Sequence, residues 1–294
     1  MSDADTQPSA GWRLYATGFA LAVSIFTVLW FIVGALGTRF GLWPYQVGLS
    51  QMTFGLGANL AMLSVALGGI GVIIALIQSP RKQPFILALA ALLIGGLMLG
   101  RLAGFRGEAR ALPPLHDIQT DWAAPIAFSE TLMQAREMGG AANDVLDAPI
   151  VPEGANGGWP GTGGRLVSEL QEDAERSIDG ADPIYPRLDP LYFAAPPAEI
   201  AEAAETVMKR RGWTIVTEAE EIEQGVFQVE ATETSTWFGF EDDVAIRVQD
   251  SNGGAKLDIR STSRVGLSDI GANSKRVSAL LVEMQDRLDG RWEP

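Results

Sequence analysis

The chain has 294 residues, 47% of them hydrophobic, and a formal net charge of −14 at neutral pH. The charge is uneven: residues 101–294 carry 18 basic and 34 acidic side chains, a balance of −16 that repels phosphate backbones and speaks against nucleic acid as a partner. With no cysteine, disulfide and thiolate chemistry are excluded, and neither an oxidising nor a reducing compartment is required.

Three apolar stretches come first, at 14–36, 54–77 and 85–105. Each is long enough to cross a hydrocarbon core of roughly 30 Å as a helix, the third only if Arg101 snorkels to the interface. A cleaved signal peptide is disfavoured for the first, because its apolar run is too long and the preceding tail carries Asp3 and Asp5 against a lone Arg13. Residues 1–105 therefore read as a multi-pass, three-helix transmembrane region whose first partner is the lipid bilayer. Trp43, Pro44 and Tyr45 suit the headgroup zone. Small residues four apart (Gly57 with Ala61, Ser64 with Gly68, Gly96 with Gly100) predict close helix packing, within the bundle before any homo-oligomer or partner surface. The short basic loop around Arg81 and Lys82 predicts a cytoplasmic position for itself and an outer one for the C-terminal domain. The full count does not decide: Arg13, Arg81 and Lys82 lie on that inner side, and Arg39, Arg101, Arg106 and Arg110 on the other.

Residues 106–184 form a Pro/Gly-rich segment that should wrap over a neighbouring surface, with short helical patterns at 127–137 and 166–176. Residues 185–294 read as an α+β domain. Proline at its start, basic residues in its last turn and Gly212 beyond it predict a helix over 197–211. Strands follow at 214–218, 226–234, 243–249 and 255–261. In the second, Phe227, Val229 and Ala231 alternate with Gln228, Glu230 and Thr232, the pattern of a sheet with one face buried. A turn at Asn252-Gly253 would set Val248 opposite Leu257, Ile246 opposite Ile259 and Arg247 opposite Asp258. The last helix, capped by Ser268 or Asp269 and stopped at Gly290, would bury Val277, Leu280, Leu281, Met284 and Leu288. The expected domain is two-layered: a four-stranded antiparallel sheet and two helices.

Arg247, Arg260 and Arg264 fall on the outer sheet face or just beyond it, near the start of the last helix. With Asp269 and Asn273 they form a candidate site for an anionic small molecule or a lipid headgroup, since guanidinium forks and free helix N–H groups both bind anions. The competing reading is an internal ion network with Asp242, Asp243, Asp258 and Asp269. No metal is expected: there is no calcium-loop spacing, and adjacent Asp242 and Asp243 on a strand point to opposite faces. No cofactor or catalytic residue is assigned. Gly266 and Gly271 do not make a dinucleotide fingerprint, and the lone His116 lies in the Pro-rich segment, where it reads as a hydrogen-bonding residue. Trp237, Phe238 and Phe240 form a candidate partner surface, or pack on the preceding segment.

Two stretches carry a family resemblance: Phe240-Glu241-Asp242-Asp243-Val244-Ala245-Ile246-Arg247, and Asp258-Ile259-Arg260-Ser261-Thr262-Ser263-Arg264-Val265-Gly266-Leu267-Ser268-Asp269-Ile270-Gly271-Ala272-Asn273. The segment from Pro113 to Asp121, Pro-Pro-Leu-His-Asp-Ile-Gln-Thr-Asp, adds to it. The chain over residues 111–288 thus resembles the bacterial and plastid family catalogued as domain of unknown function 1499. Relatives often carry export or lumenal targeting signals, so the resemblance implies a bacterial inner-membrane protein with a periplasmic C-terminal domain. The expected function is a membrane-anchored, extracytoplasmic binding or assembly module and not an enzyme. The alternatives are a hydrolase or metal-dependent enzyme using Asp242, Asp243 and Asp269, and a structural accessory subunit of a membrane protein complex.

Overall fold

A computed structural model of the chain describes residues 11–177 and 181–288; Gly290, Asp3 and Asp5 lie outside them. The chain divides into two units: residues up to Gly107 with Thr236–Gly239, and Glu108–Ser235 with Phe240 onward.

In the first unit, α1 (Gly11–Arg39), a π-helical stretch (Gln46–Gly57) continuing into α2 (Ala58–Ile77), and α3 (Lys82–Ala111) give three helices long and apolar enough to cross a membrane. Phe19, Phe26, Leu29, Ile73, Leu93 and Leu97 remain uncovered by protein, as lipid-facing residues would. Small and hydroxylated residues face inward instead. The Thr27 and Ser64 hydroxyls meet at 3.0 Å, and Ser24 Oγ donates to the Ala20 and Ala91 carbonyls. A methyl group added to Gly68 would lie 2.5 Å from the Leu92 nitrogen, so the backbones meet there. Gly96 and Gly100, expected to share this role, face open space, and Gly95 against Ser64 takes it instead. Arg13 is buried, and its guanidinium caps the Gln78 and Ser79 carbonyls just past α2.

The second unit holds β1 (Asp117–Gln119), α4 (Glu130–Met138), α5 (Val167–Glu175), β2 (Leu191–Phe193), α6 (Pro197–Arg210), β3 (Thr214–Glu223), β4 (Val226–Thr234), β5 (Glu241–Ser251), β6 (Gly254–Ser263) and α7 (Ala272–Leu288). The expectation of four strands and two helices is overturned. The sheet has six strands in the order β1-β6-β5-β4-β3, with β2 also on β6, and four α-helices accompany it. The two extra strands are three residues each, and both pair along the same edge of β6: 117–119 on 260–262, and 191–193 on 255–257. Strands that short have no alternation to read and are held by a partner distant in sequence.

Local chemistry explains the longer elements. Asn252 and Gly253 both have positive φ, 49° and 88°, as a two-residue hairpin turn requires. The resulting register pairs Val248 with Leu257, Ile246 with Ile259 and Arg247 with Asp258. Gly212, at φ +76°, ends α6. One sheet face packs Val229, Ala231, Val244, Ile246, Leu257 and Ile259 against Ile200, Ala204 and Val207 of α6 and Val277, Leu280 and Met284 of α7. The other face was expected to be solvated and is not: Gln228, Glu230 and Thr232 are buried along with their apolar neighbours. Residues 120–147, with α4, lie over it.

Candidate functional site

This covered face is a polar layer, and it contains most of the residues singled out in the sequence. Burying so many polar groups is tolerable only if they bond one another, because an unmatched buried charge costs several kcal/mol, on the order of 3–5 when one partner of an ion pair is missing. Arg260 of β6 is fully buried. Its Nε and Nη2 donate to the two oxygens of Asp117 at 3.1 and 2.6 Å, and its remaining donors reach the Ile126 and Leu146 carbonyls at 2.7 and 2.6 Å. Thr262 Oγ1 donates to the same carboxylate at 2.7 Å. The Trp122 and Phe128 rings lie 5.9 and 5.7 Å from the guanidinium carbon.

Asp243 is the second centre. Arg264 donates to it through Nε and Nη2, both at 2.8 Å, Arg136 of α4 through Nη1 at 2.6 Å, and Thr232 through Oγ1 at 2.6 Å. Arg264 also pairs with Glu241. Burial works against charge on Arg264, but its bonds to Asp243 outweigh this and hold its pKa above the usual arginine value; for Arg136 burial prevails and the shift is downward. Arg247 forms the third centre, bonding Asp258 at 3.1 Å and the Ala124 carbonyl at 2.7 Å, while Lys256 bridges Asp258 and Asp121.

Asp242 points to the opposite face, as a neighbour on a strand must, and meets Arg276 of α7 at 2.6 Å. Arg276 also takes Glu233, Ser261 and Asn273, and Asn273 Nδ2 reaches the His116 carbonyl and Ser263 Oγ, each at 3.0 Å. Asp269 belongs to neither arginine cluster: it accepts from the backbone N–H groups of Gly271 and Asn273, both at 2.7 Å, at the start of α7. The structure thus separates the predicted residues into distinct sets on two sheet faces. Among the described residues no group of three or more histidine, cysteine, aspartate or glutamate side chains could hold a metal ion.

Arg136, Asp117, Arg276 and Glu230 were not anticipated. Arg276 left a trace in the sequence, because a cation so close behind the first turn of a helix opposes the helix dipole unless carboxylates surround it. Glu230 left none. It is wholly buried and accepts from Ser129 N, Thr217 Oγ1 and Gln228 Nε2 at 2.8–2.9 Å, tying the first residues of α4 to the sheet. His116 contributes mainly its carbonyl; burial pulls its imidazole pKa down, which favours the neutral ring. Trp237 is 60% exposed, and residues 236–239 group with the helical unit.

Asp269 makes stability depend on pH. By surface area the residue is only half-buried, yet protein surrounds its carboxyl group on nearly every side, and that desolvation pushes its pKa up to about 6 from 3.8, against the pull of its two N–H donors. A raised carboxyl pKa means the folded state binds the proton more tightly. Its contribution is fully present below about pH 4 and is lost as pH rises through about 6. Asp269→Asn should flatten that part of the profile, and denaturation midpoints of both proteins at pH 4.5 and pH 7 compare the slopes directly. Parallel slopes would exclude Asp269 as the source.

A comparison with curated proteins finds no match. Among solved structures, the crystal structure of CalU16 from Micromonospora echinospora is similar at 14% identity over 34% of this chain and 78% of that one, with a TM-score of 0.21. A family model, described as protein of unknown function (DUF1499), matches residues 117–284, from the first strand of the domain into its last helix, and more than half of the chain. The chain belongs to that family.

Proposed function

We propose that this protein is a membrane-anchored binding or assembly module whose C-terminal domain lies outside the cytoplasm and engages its target through its outer surface. The observation that carries this reading is where the arginine group spends its donors: Arg260, Arg264 and Arg247 all bond carboxylates and carbonyls of the same chain, although the buried Nε of Arg247 has no hydrogen-bond partner. Such a layer stiffens a platform, and it supports a structural role for these arginines over recognition of an anionic metabolite or lipid headgroup. Asp242, Asp243 and Asp269 are divided between two sheet faces and a helix start, which gives the enzyme alternative no shared centre. An accessory subunit of a membrane complex is the same reading with a protein as the target.

Native mass spectrometry of the full-length protein, released from its membrane in mild detergent, tests the proposal. A discrete added mass or a partner at fixed ratio is the expected result. A bare protein from every mild extraction would overturn it. Protease added to sealed vesicles of known sidedness should reach residues 108–288 from the outer side; cleavage from the cytoplasmic side alone would reverse the orientation.

A further inference from the structure

The end of α1 carries a piece of chain from far along the sequence. Residues 236–239, the connection between β4 and β5, group with the helical unit and not with the strands they join. Arg39, the last residue of α1, holds them: its Nη1 donates to the Thr236 carbonyl at 2.8 Å. Gly239 has φ +70°, and a methyl group added to it would stand 3.0 Å from the Arg39 Cα, so glycine is what lets the loop come this close. The height of this contact follows from α1. Its apolar stretch ends at Leu36, three residues before Arg39, which is a rise of about 4.5 Å along the helix. The headgroup layer outside the hydrocarbon core is roughly 5–7 Å thick on each side, so a loop seated on Arg39 falls inside it.

The side chains at this level are apolar and uncovered. Leu29, Val33 and Phe40, four and seven residues apart, continue one exposed face of α1 up to the turn that follows it, where Leu42 is exposed as well. Trp43, which suits an anchoring role by sequence, is turned inward instead: its ring occupies the space beside Gly37, and its indole N–H donates to the Gly34 carbonyl at 3.3 Å. Trp237, in the loop held by Arg39, is largely exposed. An indole joins an apolar body to a polar N–H, the combination that the boundary between headgroups and acyl chains accepts.

We propose that Trp237 is a membrane anchor: residues 236–239 sit in the headgroup layer of the protein's own bilayer, with the Trp237 indole at the border of the acyl chains. The occupant of this surface is lipid, because the loop lies at headgroup height in the same unit as the lipid-facing side of α1. The inference concerns attachment and does not depend on any target of the C-terminal domain. Native tryptophan emission tests it. The full-length protein is placed in phosphatidylcholine vesicles, either plain or brominated near the headgroup end of the acyl chains, where bromine quenches an indole only on near contact. Subtracting the spectrum of Trp237→Phe from that of the wild type isolates the Trp237 component, and Trp237→Tyr gives a second subtraction. Because Trp237 is exposed, neither variant should shift the melting midpoint. The Trp237 component should be present in plain vesicles and largely lost in brominated ones, with aqueous iodide removing less of it. A component quenched by iodide and not by brominated lipid would put Trp237 in water. One quenched by neither would put it against protein, a second copy or another partner. Either result would overturn the proposal. Bromine is present in both leaflets, so the outcome is the same for either direction of insertion.

Discussion

Arg260→Ala should destabilise the C-terminal domain by about 3–5 kcal/mol, the loss typical of breaking a buried pair from one side. The substitution leaves the Asp117 carboxylate fully buried with Thr262 as its remaining side-chain donor, and strips the Ile126 and Leu146 carbonyls of their donor. Those two carbonyls belong to the segment over the polar face, so the loss should also loosen that cover. Urea denaturation of the full-length protein in detergent measures the effect. A second variant separates structure from ligand binding: Arg260→Met with Asp117→Leu removes both charges at similar volume and should recover most of the stability. If Arg260→Ala melts normally, the guanidinium is not the internal tether described above, and an external role returns.

Asp243→Ala should be equally damaging, while Asp242→Ala, one residue away, should cost about 1 kcal/mol. Asp243 is fully buried between two arginines, and without it Arg136 and Arg264 face each other as like charges, with Glu241 as the carboxylate still paired to Arg264. Arg276 loses Asp242 but keeps Glu233, and this pair is partly open to water. Because Arg136 is on α4, hydrogen exchange in residues 130–143 should rise sharply in the Asp243 variant and remain near wild type in the Asp242 variant. Similar behaviour of the two neighbours would contradict the assignment of one carboxylate to each face.

The legible parts of this fold are those whose cause is local. The apolar stretches, α6 with its proline and glycine boundaries, and the β5–β6 hairpin with its Asn-Gly turn each carry their instruction within a few residues, down to the Arg247 and Asp258 pairing. The sheet's other edge carries none: β1 has three residues and finds its register through Arg260, 143 positions away from Asp117. The polar face misled for a different reason. Alternation in β4 reports that one face is polar, and it cannot distinguish a face covered by water from one covered by polypeptide that supplies matching donors and acceptors. For the same reason Arg260 and Asp243 could be located in sequence while their respective partners Asp117 and Arg136 could not.

The pairing of β1 with β6 also sets an order of events during synthesis. Asp117 leaves the ribosome 145 residues before Thr262, the residue that bonds to its carboxylate. Until β6 has emerged, the segment after the last apolar helix has no edge to join, and Arg260 and Arg264, which pair with Asp117 and Asp243, do not yet exist. Burial of those carboxylates must wait for nearly the whole chain, so the domain closes late and all at once, after the three apolar helices have been made. A nascent chain stopped before residue 254 would lack β6 altogether, which makes the intermediate a natural target for quality-control proteases and the last few dozen residues the ones that decide whether the rest is kept.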